Sequence, residues 1–145
     1  MYDLIRINDL ENAEQLLWSH NKEIGRTLSD EELLAGIRKF IEKGEVLGCV
    51  ENNRIIAMLV LYCYDRQTLQ AYICNVYVLD EYRGRHLSER LIEKAIDICR
   101  LKGFKTICLH VAENNIPAVK TYEKLGFAFT DGFRGTDREM VLVLE

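Results

Sequence analysis

The sequence predicts an α/β protein built on a mixed, mostly antiparallel sheet of about six to seven strands, with helices on both faces. Three observations lead to this class. Apolar runs and helical patterns follow each other in the order strand, two helices, three strands, helix, strand, helix, two strands. The turn "ENNR" joins two of the apolar runs as an antiparallel hairpin. A strand–helix–strand unit over residues 69–111 is expected to be parallel and right-handed.

The first predicted elements are a short strand over residues 2–7 and two helices. Asp9 is the expected N-cap of the first helix, because apolar residues recur at helical spacing after it. The second helix begins with a capping box formed by Ser29 and Glu32. It ends at Gly44, which we interpret as its C-cap.

The later elements follow from a change of period. Three apolar runs read as strands: "EVLGCVE", "RIIAMLVLYCY" and "LQAYICNVYVL". The next helix is expected to end near Lys102, before Gly103, and "FKTICLHV" is another strand. A short helix with Pro117 near its first turn ends at Gly126, and two strands, "FAFTDGF" and "REMVLVLE", close the chain.

Length and composition predict one globular domain over residues 1–145, with 48% hydrophobic and 29% charged residues. The net charge of −4 argues against a nucleic-acid partner. Neither a leader pattern nor an apolar run of membrane length is visible, so we expect a cytoplasmic protein without a membrane partner. The five cysteines lie in apolar segments without metal-ligand spacing, which is typical of reduced core cysteines.

One central stretch, "DEYRGRHLSERLIEKAIDI", combines a basic turn with an amphipathic helix that is predicted to start at Leu87 or Ser88. The free N–H groups at a helix start attract phosphate. Arg83 and Arg85 add positive charge there, and Gly84 permits a tight turn. The stretch predicts a pyrophosphate cradle, with a solvated basic loop as the alternative.

A second stretch, "NNIPAVKTYEKLGF", makes the first one more specific. Together the two resemble the GNAT superfamily of acyl-CoA-dependent N-acetyltransferases. That family has a loop of the form R/Q-x-x-G-x-G/A, and Arg83 stands at its first position. The resemblance extends to the order of strands and helices over the whole chain. The second family pattern, N-x-x-A-x-x-x-Y-x-x-x-G-F, is matched at Asn115, Ala118, Tyr122, Gly126 and Phe127.

The loop departs from the family pattern at His86, where glycine is usual, and has Ser88 at the second small position. If the position needs a positive φ, histidine can adopt it at a cost. If glycine is there for close approach to phosphate, the imidazole must point away from the ligand.

The resemblance implies that an amine attacks the thioester of acetyl-CoA, the cosubstrate. Backbone N–H groups near Val76, Tyr77 and Val78 would then stabilise the oxyanion, and Tyr122 would protonate the departing thiolate. A core position is the alternative for Tyr122, and an ordinary helix-start role is the alternative for Asn115. The residues that the resemblance assigns to the cofactor are Val76, Tyr77, Val78, Arg83, Gly84, Arg85, His86, Leu87, Ser88 and Asn115.

No residue stands out as the base that deprotonates the amine. His110 is a candidate, although a hydrogen-bonded strand histidine is the first interpretation. Tyr72 and Asn75 could line the cleft without acting as bases, and a water chain or a carboxylate is also possible. The carboxylates considered are Glu23 and Glu51. His20 and His86 are too far apart in sequence to indicate a metal site, and none is predicted.

The resemblance therefore predicts an N-acetyltransferase acting on a primary amine of a small molecule or of a peptide. The alternatives are a catalytically weak acyl-CoA sensor of the same fold and an oligomeric scaffold without cofactor. The acceptor would be recognised by the first two helices, their loop and the late hairpin. The last two strands could also pair across a homodimer.

Overall fold

The computed structural model describes residues 2–144, which form one seven-stranded mixed sheet and four α-helices. The predicted fold class is confirmed. Within this described range the sheet order is β1-β2-β3-β4-β5-β7-β6, and only the β4–β5 pair is parallel. The strands are β1 (Asp3–Arg6), β2 (Glu45–Glu51), β3 (Arg54–Tyr62), β4 (Gln70–Val78), β5 (Thr106–Val111), β6 (Ala128–Arg134) and β7 (Asp137–Val143). The helices are α1 (Ala13–Glu23), α2 (Asp30–Lys43), α3 (Leu87–Leu101) and α4 (Ile116–Lys124).

The predicted start of the first helix at Asp9 is wrong. Asp9 belongs to a 3-10 turn over Ile7–Asp9, and the following Leu10 is extended, with φ −86° and ψ 139°. Helix α1 begins only at Ala13, after Asn12, which makes no side-chain cap hydrogen bond. The helical spacing of Leu10 therefore reflects packing against the core beneath α1 and α2, not membership of the helix.

Helix α2 has the predicted boundaries, but Gly44 ends it for a different reason. The capping box is present: the Ser29 hydroxyl accepts from the Glu32 N–H at 3.2 Å, and Glu32 Oε1 accepts from the Ser29 N–H at 3.3 Å. Gly44 has φ −100°, which is not left-handed. A Cβ there would lie 2.9 Å from the Phe40 carbonyl oxygen and 3.2 Å from Val60 Cγ1, so space requires the glycine.

The helices cover both faces of the sheet, as predicted. Helices α1 and α2 bury Leu17 and Ile37 against one face, and α3 and α4 bury Leu91 and Val119 against the other. Strand β3 lies between the two layers, and its residues 55–61 are all buried, which explains its uninterrupted apolar run. Among the described residues, no helix is both long enough and apolar enough to cross a membrane.

Strand β4 is irregular where the site forms. Val60 pairs with Asn75 but Leu61 pairs with Ile73, so Cys74 is an extra residue that bends the strand. The parallel pairing with β5 ends at Tyr72 and Cys108, although β4 continues to Val78 and β5 to Val111. The two strands therefore separate beyond this point, and their facing edges are available to a site.

Candidate active site

The predicted cradle lies between β4 and α3. After a 3-10 turn over Asp80–Tyr82, the loop contains two left-handed residues, Gly84 at φ 80° and His86 at φ 61°. His86 is the N-cap, and α3 begins at Leu87, as predicted. The free N–H groups of the first turn and the positive end of the helix dipole therefore lie at this loop.

The structure explains how histidine occupies the glycine position. His86 has the left-handed backbone that glycine adopts easily, with φ 61° and ψ 26°. Its side chain is 72% exposed, and Nδ1 lies 3.8 Å from the Glu89 carboxylate. The imidazole is directed toward solvent, so the main chain of the cradle keeps its shape.

The two loop arginines contact the loop itself. Arg83 donates from Nε to the Val78 carbonyl at 3.2 Å, and its Nη2 lies 3.1 Å from an Asp80 carboxylate oxygen. The Arg85 guanidinium lies over the ring of Tyr82, 5.0 Å from its centroid. These contacts fix the loop conformation and keep two positive charges beside the start of α3.

A cavity of about 620 Å³, which we call the loop cavity, is formed by this loop, the end of β4 and helix α4. Of the residues predicted to bind cofactor, all except Arg85 line it. Its lining residues are Val76, Tyr77, Val78, Tyr82, Arg83, Gly84, His86, Leu87, Ser88, Glu89, Asn115, Pro117, Ala118, Thr121 and Tyr122.

A smaller cavity of about 330 Å³, the strand cavity, lies where β4 and β5 separate. It shares Val76, Asn115 and Tyr122 with the loop cavity, so the two meet at these residues. Its other lining residues are Ile73, Cys74, Asn75, Leu109, His110, Val111, Ala112 and Asp137. A ligand extending from the loop cavity would present its end to the strand cavity beside Tyr122.

Helix α4 holds Tyr122 at this junction. Asn115 caps the helix by accepting from the Ala118 N–H at 3.5 Å. The Tyr122 ring packs 6.0 Å from the Phe127 ring, and burial raises the pKa of its phenol. Within residues 2–144 its hydroxyl has no hydrogen-bond partner. The residue is thus both packed and directed at a cavity, and the raised pKa keeps its proton in place.

The strand cavity also contains His110, which is linked to two residues that sequence reasoning did not join. His110 Nδ1 lies 2.9 Å from the Tyr72 hydroxyl, which accepts from Arg134 Nη1 at 3.0 Å. The Tyr72 and His110 rings are 5.6 Å apart. The expected strand histidine is therefore hydrogen-bonded, and it also lines the cavity.

The other candidate bases lie elsewhere. Glu23 forms an ion pair with Arg54, whose Nε donates to it at 3.0 Å, and Glu51 accepts from the Tyr82 hydroxyl at 2.7 Å. Neither carboxylate lines the described strand cavity. Asn75 and Tyr72 were both expected to line the cleft. Asn75 lines the strand cavity, whereas Tyr72 does not and contacts His110 instead.

Glu89 is a charged cavity residue that was not predicted from the sequence. Glu89, in the first turn of α3, lines the loop cavity with a side chain only 18% exposed. Lys124 donates to it at 2.9 Å, and this hydrogen bond lowers the pKa of the carboxyl. The lysine offsets a negative charge beside the cradle. Because Lys124 lies on a separate helix, no local sequence signal indicates the pair.

The split sheet, the helix start and the joined cavities define a domain of the N-acetyltransferase fold class. The model of the acetyltransferase (GNAT) family matches residues 8–127. The chain belongs to the acetyltransferase (GNAT) family.

Individual relatives match in part of their length. Over 80 residues the chain is 29% identical to N-alpha-acetyltransferase 30 of Schizosaccharomyces pombe, covering 54% of this chain and 53% of that protein. Over 56 residues it is 38% identical to the putative [ribosomal protein bS18]-alanine N-acetyltransferase of Bacillus subtilis, covering 39% and 37%. The chain thus spans about half or less of the length of these curated relatives.

Solved structures share the fold over the whole chain. The ribosomal-protein-S18-alanine N-acetyltransferase of Escherichia coli has a TM-score of 0.75 at 18% identity, covering 100% of this chain and 95% of that one. The PaiA N-acetyltransferase of Thermoplasma acidophilum, in complex with coenzyme A, has a TM-score of 0.67 at 20% identity, covering 99% of both chains.

Proposed function

We propose that the protein transfers the acetyl group of acetyl-CoA to a primary amine, and that the acceptor is the α-amine of a peptide or protein. The observation that carries the proposal is the junction of the two cavities at Val76, Asn115 and Tyr122. A cofactor in the loop cavity and an amine in the strand cavity would meet beside Tyr122. Family membership and the relatives named above support the same reaction.

The loop cavity suits the pyrophosphate of CoA. Main-chain N–H groups at the start of α3 would donate to its oxygens, and Arg83 and Arg85 supply positive charge. Asn115 and the end of β4 line the path toward the strand cavity. There the thioester carbonyl would lie beside the main chain of Val76. The backbone N–H groups of Val76, Tyr77 and Val78 are the proposed oxyanion donors.

The reaction requires three proton transfers. The substrate ammonium first loses a proton to His110, directly or through one water, and the neutral amine then attacks the thioester carbon. The carbon–sulfur bond breaks as Tyr122 donates its phenolic proton to the departing thiolate, and the proton released by the new amide nitrogen returns to the Tyr122 phenolate. His110 is chosen because it lines the strand cavity, whereas the carboxylates considered from the sequence do not.

An α-amine is the acceptor that is easiest to deprotonate. Its pKa of about 7.8 is some 2.6 units below the ~10.4 of lysine, which corresponds to about 3.5 kcal/mol less for loss of the proton. This advantage holds whichever group accepts the proton. Two relatives support this choice by their names, one as an N-alpha-acetyltransferase and the other as a putative [ribosomal protein bS18]-alanine N-acetyltransferase.

A peptide pair tests the proposal. One peptide carries a free N-terminus and no lysine, and its matched partner is N-terminally blocked and carries one lysine. With acetyl-CoA, we expect product only from the first, measured by mass spectrometry. CoA binding without turnover on any amine would instead support the acyl-CoA sensor. No CoA binding at millimolar concentration would contradict both.

A further inference from the structure

Cys108, His110 and Glu139 form a cluster beside the strand cavity. Of the three, only His110 has a role in the proposed acetyl transfer. Cys108 and His110 lie two residues apart on β5 and therefore share one face of the strand. Glu139 on β7 is paired directly opposite His110. The Cys108 sulfur, a His110 ring nitrogen and a Glu139 carboxylate oxygen all lie within 4.8 Å of one another.

We propose that Cys108, His110 and Glu139 form a zinc-binding site, with an open fourth position toward the strand cavity. Thiolate, imidazole and carboxylate are the ligands that Zn²⁺ takes in proteins, and three protein ligands with one open position are typical of accessible zinc. A tetrahedral ion holds its ligand atoms about 3.5 Å apart. The Cys108 sulfur already lies 3.3 Å from Glu139 Oε2.

The ligands also have the outer partners that orient metal ligands. The Thr130 hydroxyl donates to Glu139 Oε1 at 2.7 Å, which leaves Oε2 toward the thiol. The Tyr72 hydroxyl lies 2.9 Å from His110 Nδ1. When Nδ1 donates to that oxygen, Nε2 carries the lone pair that a metal needs. Such outer hydrogen bonds fix both the direction of the ligand and the tautomer.

Charge supports a divalent ion. A thiolate and a carboxylate together neutralise Zn²⁺, so the half-buried site would carry no net charge when loaded. Without metal, the Cys108 thiol donates to Glu139 Oε2 at 3.3 Å. The metal would displace this proton, which Zn²⁺ does readily to a coordinating thiol.

Zinc binding can be tested separately from its expected consequence, the inhibition of acetyl transfer. Zinc binding does not depend on the acetyltransferase proposal. Inhibition does rest on it, because a metal on His110 would remove the proposed base and occupy the acceptor side of the cavity. Ligand spacing along the chain does not predict this site, because the third ligand, Glu139, comes from another strand.

The test uses the full chain, freed of metal with a chelator and given Zn²⁺ alone. Native mass spectrometry is expected to show one zinc per chain, and Co²⁺ is expected to give a thiolate-to-metal charge-transfer absorption. Cys108→Ser and Glu139→Gln are each expected to weaken Zn²⁺ binding by more than the roughly 10–100-fold that loss of an outer partner costs. Thr130→Ala should weaken it by roughly tenfold, as an outer partner does.

Cys74→Ser is the matched control, because Cys74 is a neighbouring thiol that lines the strand cavity but is not in the cluster. It should bind zinc as the parent does. No zinc bound at micromolar metal, or equal loss in the Cys74 and Cys108 variants, would overturn the proposal. Melting curves identify a variant that fails to fold, and Glu139→Gln then decides in place of Cys108→Ser. Bound zinc without any acetyl transfer by the metal-free chain would keep the site and reject the proposed function.

Discussion

The loop cavity and the strand cavity meet at Tyr122, but they are formed by different kinds of structure: a local main-chain segment in one case, and side chains from several elements in the other. The loop cavity uses ten residues from one short segment, between positions 76 and 89, which includes the start of α3, and helix α4 forms its opposite wall. The strand cavity uses side chains from β4, β5, α4 and the start of β7, which are far apart in sequence. The main-chain conformation of one segment forms the loop cavity, whereas the register of the sheet determines which side chains line the strand cavity.

This difference predicts how each cavity responds to substitution. A cradle made of main-chain N–H groups should accept an unusual side chain, provided that the backbone keeps its conformation, as His86 does. The strand cavity should be intolerant at Tyr122 and His110, because each of these two side chains is proposed to transfer a proton. The predictions below test this contrast, from the largest expected effect to the smallest.

Tyr122→Phe should have the largest effect. It keeps the ring that packs near Phe127 and removes only the hydroxyl. We expect kcat to fall by roughly 100-fold or more, the usual contribution of a positioned general acid. KM for acetyl-CoA should change little, because the lost interaction belongs to the transition state.

Tyr64→Phe is the matched control, since Tyr64 is 59% exposed and lies outside both cavities. It should leave kcat unchanged. An unchanged kcat in Tyr122→Phe would assign the hydroxyl to packing. A loss confined to acetyl-CoA affinity would mean that it holds the cofactor in the ground state.

His110→Gln should have the next largest effect on the strand cavity. We expect kcat to fall roughly 10- to 100-fold, at the lower end of general-base contributions because water can replace the imidazole in part. The deficit should shrink as pH rises toward 8 and above, since more of an α-amine with pKa about 7.8 is then already neutral. Acetyl-CoA binding, measured by calorimetry, should stay as in the parent. A deficit that is independent of pH would argue for a structural role through Tyr72.

The predictability of the two cavities follows the same contrast. The turn, the helix start at Leu87 and the cap at Asn115 were readable because each is a local pattern with a local cause. The cluster of Cys108, His110 and Glu139 was not readable, because β7 lies between β5 and β6 in the sheet. Nothing in the sequence states this order, and the order alone brings Glu139 opposite His110.

The first helix shows a smaller failure of the same kind. A periodic apolar pattern cannot distinguish a residue within a helix from one that packs beneath it, and Leu10 is the second kind. Gly44 shows the reverse case. Its position was readable as a helix end, but the crowding by Val60 Cγ1, which adds to that by the Phe40 carbonyl oxygen, depends on the sheet.

His86→Gly should have a modest effect on the loop cavity. A left-handed conformation costs an ordinary residue about 1–2 kcal/mol, and glycine removes this cost. The greater freedom of glycine in the unfolded chain offsets about 0.5–1 kcal/mol of the stabilisation. We expect the free energy of unfolding to rise by about 0.5–1 kcal/mol. CoA should bind slightly more tightly, with kcat unchanged.

Asn53→Gly is the control for this variant, because Asn53 is left-handed at φ 59° in the β2–β3 turn, outside the loop cavity. It should not alter CoA affinity. Weaker CoA binding in His86→Gly would show that the imidazole contacts the ligand, and would contradict a cradle made of main chain alone.

The smallest expected effect concerns His20, whose ring packs against Tyr77, a residue that lines the loop cavity. The ring is 2% exposed, lies edge-on to Tyr77 at 5.9 Å, and has Nδ1 3.2 Å from the Ile55 carbonyl oxygen. Burial lowers its pKa in the folded chain. Above pH ~6.5 neither state binds the proton, so the residue adds no pH dependence there. Below that pH the unfolded chain takes up a proton that the folded chain does not. The free energy of unfolding should therefore decrease as the pH is lowered, until the pH reaches the pKa of the folded state. Urea unfolding between pH 7.5 and pH 5 measures this slope, and His20→Gln should reduce it. An equal slope in the variant would assign the acid sensitivity to other groups.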